Sequence, residues 1–210
     1  HILSVKLLMT LSFGFAHDAE TTQPFEKIHA HKSFEAHIHG GWESRYFSEG
    51  RDALDGKSLW VESLEFGYDH FSGGIWYGRS SNHSYDELQY SLALTQEVEN
   101  LQVYFGYTHL VFSIDDESDD EWSLGIRYAE LPFNLDSSLD ACYSMDAAGT
   151  FIEWSNSRKF NLNEELGFSL SGILGWNDGY VSDGHDGLNY GSLRMGTEKT
   201  ISKNVSLVGH

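Results

Sequence analysis

The chain has 210 residues, enough for one large domain, and a net charge of −19 from 32 acids and 13 bases. This excess of acids argues against a nucleic-acid-binding protein, which needs basic patches. Abundant aromatic residues, frequent glycine and only two prolines favour an all-β fold. Cys142 is the one cysteine, which excludes an intramolecular disulfide, and we interpret it as a small buried residue.

The N-terminal segment is typical of a secretory signal peptide. Residues 7–16 form a short apolar run that follows Lys6 and ends in Gly14-Phe15-Ala16. We predict residues 1–16 as a signal peptide without its initiator methionine, because position 1 is His; a short buried helix is the alternative. Residues 17–32 are predicted as an N-terminal lead-in. No apolar run reaches the about 18 residues of a membrane-spanning helix.

The stretch 33–46 predicts a long strand with one apolar and one polar face, because alternate side chains on a strand point to opposite faces. The apolar set is Phe34, Ala36, Ile38, Gly40, Trp42, Ser44 and Tyr46. The polar set is Glu35, His37, His39, Gly41, Glu43 and Arg45. Strands that cross a membrane at a tilt have this pattern over about 9–11 residues.

The same pattern recurs to the end of the chain. The predicted strand runs are 33–46, 58–70, 75–80, 87–95, 101–108, 122–129, 135–145, 150–157, 166–176, 188–199 and 205 onward. Loops that are mostly long and acidic follow the odd-numbered runs, and short turns follow the even-numbered runs. We therefore predict that 33–210 form an up-and-down antiparallel transmembrane β-barrel. Because bacterial barrels have even strand numbers, we expect about twelve strands, the last lying beyond His210.

A soluble lipocalin-like barrel or a β-sandwich also alternates, but with apolar residues inside. Three features favour the membrane. Eleven or more strands enclose an interior too wide for an apolar core. The polar face is rich in small residues and poor in Lys. Aromatics lie near the ends of the apolar stripes, where an interfacial belt is expected, at Trp42, Tyr46, Trp122, Tyr128 and Trp176.

Three short segments resemble a known family. They are Trp42-Glu43-Ser44-Arg45-Tyr46, Glu49-Gly50-Arg51 and Gly74-Ile75-Trp76-Tyr77. Together they resemble the start of the TorF-type porins of Gram-negative envelopes, over residues 40–80. The loop reads Gly-Arg where that family has Arg-Gly. The resemblance implies a barrel in the bacterial cell outer membrane, with a transport role and no catalytic residues.

The polar face predicts a lumen dominated by carboxylates. Its charged residues are Glu35, Glu43, Arg45, Glu65, Asp69, Glu87, Arg127, Asp136, Asp140 and Glu153. Acids outnumber bases, so we predict a passive channel for small solutes with a preference for cations. Its expected partners are outer-membrane lipids and small solutes or cations, and no cofactor is predicted. A structural or adhesive barrel with a plugged lumen, a barrel hydrolase and a soluble lipocalin-like binder are the alternatives.

Other chemistry receives less support from the sequence. Glu35, His37 and His39 share a face, with His29 and His31 upstream, and are weak candidates for zinc, copper or nickel; a hydrogen-bonded network is the alternative. The acidic loops 115–121 and 178–186 lack the spacing of a calcium-binding EF-hand. No Gly-x-Ser-x-Gly elbow is present. We therefore predict that the chain is not an enzyme.

Overall fold

The computed structural model describes residues 5–14, 17–19, 34–182 and 184–209. Within these ranges the chain forms strands and turns, and no helix there is long and apolar enough to cross a membrane. The all-β prediction is confirmed. The strands are β1 (Val5–Gly14), β2 (His17–Ala19), β3 (Phe34–Glu43), β4 (Tyr46–Ser48), β5 (Arg51–Asp52), β6 (Leu59–Tyr68), β7 (Phe71–Ser80), β8 (Asp86–Val98), β9 (Leu101–Phe112), β10 (Glu117–Leu131), β11 (Leu135–Ser144), β12 (Gly149–Asn161), β13 (Leu166–Asp178), β14 (Gly187–Ser202) and β15 (Val205–Gly209).

One large sheet contains most of these strands. From β3 through β6 to β15, each strand pairs antiparallel with the next one along the chain. The predicted up-and-down antiparallel arrangement is therefore confirmed, and each predicted run overlaps one strand of this sheet. The first and last strands of this meander, β3 and β15, do not pair with each other; β1 lies between them, parallel to both.

The segment before β3 contains the predicted signal peptide and the predicted lead-in. β1 lies in the predicted signal peptide, and β2 pairs in parallel with β4. Residues 15 and 16 of the proposed cleavage site, most of the lead-in 17–32, and His29 and His31 lie outside the described residues. The signal peptide therefore stays a prediction.

The faces of the sheet are separated by polarity. One face, called here the outer face, exposes large apolar side chains; Leu92, for example, is 60% exposed. It carries Trp60, Leu64, Phe66, Ile75, Leu92, Phe105, Leu124, Leu139, Trp154, Leu170 and Leu193. The opposite, inner face buries mostly small and polar side chains, among them Ser63, Glu87, Ala93, Ser144, Glu153 and Asn177, together with a few apolar ones such as Leu110, Phe151 and Ile173. This distribution is the reverse of a lipocalin-like barrel, in which apolar residues face inward.

Several predicted boundaries are wrong. The predicted runs 58–70 and 75–80 place a turn at 71–74, but the turn lies at Asp69-His70, and Gly73 and Gly74 belong to β7. Gly73 serves packing rather than turning, because a Cβ there would come within 2.7 Å of the Phe66 ring. Of the predicted acidic loop 115–121, only Asp115 and Asp116 lie in a turn, which spans 113–116, and the remainder starts β10.

The first predicted strand is also shorter than expected. It ends at Glu43, and a bend at Ser44-Arg45 turns the chain away from the outer face. The segment after it contains the small hairpin formed by β4 and β5. Tyr46 was predicted among the outer aromatics, but it is buried, with only 3% of its surface exposed.

Candidate functional site

Residues 44–58, called here the inner loop, connect β3 to β6 and fold against the inner face. The β4–β5 hairpin turns at Glu49 and Gly50, both with positive φ. Tyr46 and Leu54 from the loop form a buried apolar cluster with two side chains of β6, Leu59 and Val61. Leu59 is fully buried. The inner loop therefore has its own small core at the end of the sheet where it is attached, called here the loop end.

A carboxylate of β8 receives two phenols at this cluster. Tyr46 donates its hydroxyl hydrogen to Glu87 Oε2 at 2.8 Å, and Tyr85 donates to the same oxygen. Gln89 Nε2 donates to the other oxygen at 2.6 Å. Burial, and then the charge of Glu87, raise the pKa of both tyrosines. Both phenols therefore stay protonated and act as donors to Glu87.

The inner loop also reaches the opposite side of the sheet. Asn189 of β14 donates from Nδ2 to the Glu49 backbone oxygen at 2.9 Å. Gly50, with φ of 77°, lies against Tyr190; a Cβ at Gly50 would lie 2.5 Å from that ring. Because β8 and β14 are far apart in strand order, a loop that touches both requires the sheet to curve around it.

Glu49, at the tip of the hairpin, is a largely buried acid with 17% of its side-chain surface exposed. Ser48 donates to its Oε2, and Arg51 forms an ion pair with the same oxygen at 3.1 Å. Burial nevertheless raises the pKa of Glu49, and the carboxylate of Glu87 contributes in the same direction. The hydrogen bonds from Ser48 and Arg51 oppose this shift. Ionised Glu49 is therefore less stable in this position than in water.

A second carboxylate with donors lies on β10. Tyr180, in the loop after β13, donates to Glu121 Oε1, and the Cys142 thiol donates to Oε2 at 3.3 Å. Burial, followed by the charge of Glu121, raises the pKa of Tyr180. Cys142 is thus a partner of a carboxylate rather than a plain small residue.

On the inner face, two sets of three residues lie side by side, with one residue from each of three neighbouring strands. Tyr104 of β9 is paired with Gly125 of β10, and Gly125 with Asp140 of β11. The Tyr104 hydroxyl reaches over the glycine and donates to Asp140 Oδ1 at 2.8 Å. A Cβ at Gly125 would lie 2.0 Å from the Tyr104 ring. The glycine is therefore required for the tyrosine to cross the strand.

The second set repeats this arrangement from the other direction. Tyr190 of β14 is paired with Gly175 of β13, which is paired with Glu153 of β12. The Tyr190 hydroxyl donates to Glu153, and a Cβ at Gly175 would lie 2.2 Å from the Tyr190 ring. Both acids were singled out by the sequence pattern, whereas their tyrosine donors were not.

The residues predicted to line a lumen are mostly on the inner face. Glu35, Glu43, Glu65, Glu87, Arg127, Asp136, Asp140 and Glu153 occupy inner positions of their strands. Arg127 and Asp136 form an ion pair at 3.2 Å. Two of the residues predicted to line the lumen lie outside the long strands. Arg45 is exposed in the bend after β3, and Asp69 is in the β6–β7 turn with φ of 57°.

The metal candidates receive no structural support beyond a shared face. Glu35, His37 and His39 lie on the inner face of β3. Among the residues that the structure describes, no group of three or more His, Cys, Asp or Glu side chains is arranged to hold a metal ion. Asp115 and Asp116 are exposed in a turn, whereas Asp119 accepts hydrogen bonds from Ser144 and the Asp146 amide.

Comparison of the chain with protein-family models, with curated proteins and with solved structures finds no match. The resemblance to TorF-type porins therefore stays a prediction based on residues 40–80, and functional inference depends on the geometry of this chain.

Proposed function

We propose that the chain forms a transmembrane β-barrel of the bacterial outer membrane, with an acidic interior through which small cationic solutes pass. One observation carries the proposal: large apolar side chains are exposed on the outer face while carboxylates and small residues are buried on the inner face. Exposing that much apolar surface to water is unfavourable, whereas a bilayer would cover it. In the proposed barrel the curved sheet closes, because an open edge in hydrocarbon leaves backbone groups unpaired.

The interior chemistry supports the cation preference. Acids on the inner face outnumber its bases, and the fields of like charges add up in a narrow space with low-dielectric walls. Glu87, Glu121 and Glu153 lie on three different strands, so acidic side chains are present on several sides of the interior. Cations are thereby favoured over anions along the path.

A structural barrel with a plugged lumen is the second candidate. The observation that favours it is the inner loop, which packs an apolar cluster against the inner face and touches β14 on the other side. In that case the barrel spans the membrane but conducts no ions.

The test is conductance of the purified, detergent-folded protein in planar bilayers, with the reversal potential measured in a potassium chloride gradient. We expect a reversal on the cation side that weakens as salt rises, because salt screens charges over about 10 Å at 0.1 M. Glu121→Gln should reduce the preference, whereas Glu62→Gln, exposed on the outer face, should not. A reversal on the anion side contradicts the proposal, and a folded barrel that does not conduct leaves the plugged barrel.

A further inference from the structure

We propose that the inner loop, residues 44–58, is the constriction that sets the conductance and the cation preference of the channel; this rests on the proposed function. The loop begins and ends at neighbouring residues, because Glu43 is paired directly with Leu59. A two-residue turn is enough to join antiparallel strands at such a position. The additional residues are therefore not needed to connect β3 to β6, and instead they occupy the space in front of the inner face.

The loop is held on one side by apolar packing and phenol hydrogen bonds. Tyr46 stacks on Trp76, an inner residue of β7, with ring centroids 6.5 Å apart, and lies 5.9 Å from the Tyr85 ring. Its hydroxyl is bound to Glu87. Leu54 adds to the cluster with Leu59. Side chains from three adjacent strands thus fix this half of the loop.

The hairpin tip is held on the opposite side. The Glu49 backbone oxygen accepts a hydrogen bond from Asn189, and Gly50 lies in contact with the Tyr190 ring. A single segment is therefore anchored on β6–β8 and on β14, and it crosses the space that the sheet encloses. Any solute that follows the inner face must pass beside it.

The chemistry beside the loop fits a selective passage. Glu49 on the tip, Glu87 on β8 and Glu121 on β10 contribute carboxylates, and each accepts a hydrogen bond from a hydroxyl-bearing side chain. A solute here meets carboxylate oxygens and phenol rings, which both attract cations. The loop thus narrows the path beside the carboxyl groups of Glu49, Glu87 and Glu121.

The experiment replaces 44–58 by Asn-Gly and compares single-channel conductance and reversal potential with those of the unaltered protein. The matched control replaces the 113–116 turn, at the same end, by Asn-Gly, because Phe112 is paired with Glu117. We expect a several-fold higher conductance and a weaker cation preference for the 44–58 variant only. Heat modifiability on gels verifies that each variant has folded.

The outcomes separate this inference from the proposed function. A folded 44–58 variant with unchanged conductance overturns the inference and leaves the channel. If the unaltered protein does not conduct but the 44–58 variant does, the result supports the constriction and replaces the open channel by a plugged barrel. If neither the unaltered protein nor the 44–58 variant conducts, both the inference and the proposed function are overturned. Should the shortened variant fail to fold, Tyr46→Phe decides: it loses the bond to Glu87 and should raise conductance, whereas Tyr90→Phe on the outer face should not. Equal conductance of these two variants overturns the inference.

Discussion

Across β6, β7 and β8 the inner face is covered by apolar side chains that the inner loop contributes, whereas across β9–β14 it is covered by tyrosines that cross glycines to reach acids. The first region contains Leu54, Leu59 and Val61, all buried. The second contains the Tyr104–Gly125–Asp140 and Tyr190–Gly175–Glu153 sets. The first depends on an inserted segment, and the second is built from strand residues alone.

The difference teaches how carboxylates are stabilised inside such a sheet. In the strand-built region Asp140 and Glu153 each have a tyrosine donor from two strands away, and the middle glycine gives the tyrosine room. In the loop region, Tyr85 and Gln89 donate to Glu87 from beside it, and the third donor, Tyr46, is present only when the loop is folded inward. We therefore expect the inner loop to be displaced more easily than the strand residues.

The largest effect is expected for Leu59→Ala, which leaves a cavity in the loop cluster. Truncation of a fully buried leucine costs about 2–5 kcal/mol of unfolding free energy. Leu64→Ala, on the outer face of the same strand, is the control and should cost less, because it leaves no internal cavity. Urea unfolding of the protein folded into lipid vesicles measures both. Equal losses would mean that the loop cluster is not a packed core.

The next largest effect concerns which face of the sheet contacts lipid. Leu92→Arg places a charge on the outer face, and an arginine at the midplane of a membrane barrel costs about 2–4 kcal/mol. Ser91→Arg, one residue earlier, points to the inner face and should disturb assembly less. The fraction of heat-modifiable protein after folding into vesicles reports both. A larger defect for Ser91→Arg would contradict a lipid-facing outer surface.

A smaller effect is expected when a crossing glycine is filled. Gly125→Ala forces the Tyr104 ring away, so Asp140 loses its phenol donor; a lost bond of this kind costs about 1–3 kcal/mol. Gly167→Ala is the control, because the nearest atom to its Cβ is 3.7 Å away. The unfolding free energy should fall for Gly125→Ala alone. If both variants had the unfolding free energy of the unaltered protein, the hydrogen bond from Tyr104 to Asp140 would not contribute to stability.

The sequence predicted what depends on local alternation and missed what depends on distant contacts. Strand positions, inner and outer faces and the end at which long connections lie follow from period-two patterns. The inward fold of Tyr46 did not, because an aromatic residue suits an outer stripe equally well. Tyr180 and Glu121 are 59 residues apart, and Asn189 and Glu49 are 140 apart. Such pairs leave no signal in a single sequence.

The sequence pattern also led to wrong boundaries where the position of a turn depends on packing. Gly73 and Gly74 look like a turn, yet β7 continues through them because the turn forms at Asp69, which tolerates a positive φ. Glu117–Glu121 look like a solvated acidic loop. They extend β10 because Asp119 and Glu121 find donors on the neighbouring strand β11 and in the loop after β13.

The smallest effect is a pH dependence of the inner loop. Burial raises the pKa of Glu49. A carboxyl group with a raised pKa stabilises the inward loop fully below its ordinary pKa of about 4.3, and this contribution is lost as pH rises through the raised value. The groups that face Glu49 are Arg51 on the loop, the carboxylates of Glu87 and Glu121, the phenols of Tyr46, Tyr85 and Tyr180, and the Cys142 thiol.

Raising the pH above the ordinary pKa of a glutamate side chain should therefore loosen the inner loop and increase conductance. Glu49→Gln cannot ionise, so its conductance should depend less on pH than that of the unaltered protein. Asp116→Asn removes an exposed carboxylate from a turn at the same end and should keep the full dependence. Single-channel conductance measured across the acidic range, at constant salt, compares the three proteins. Identical pH profiles for Glu49→Gln and the unaltered protein would show that burial of Glu49 does not control the loop.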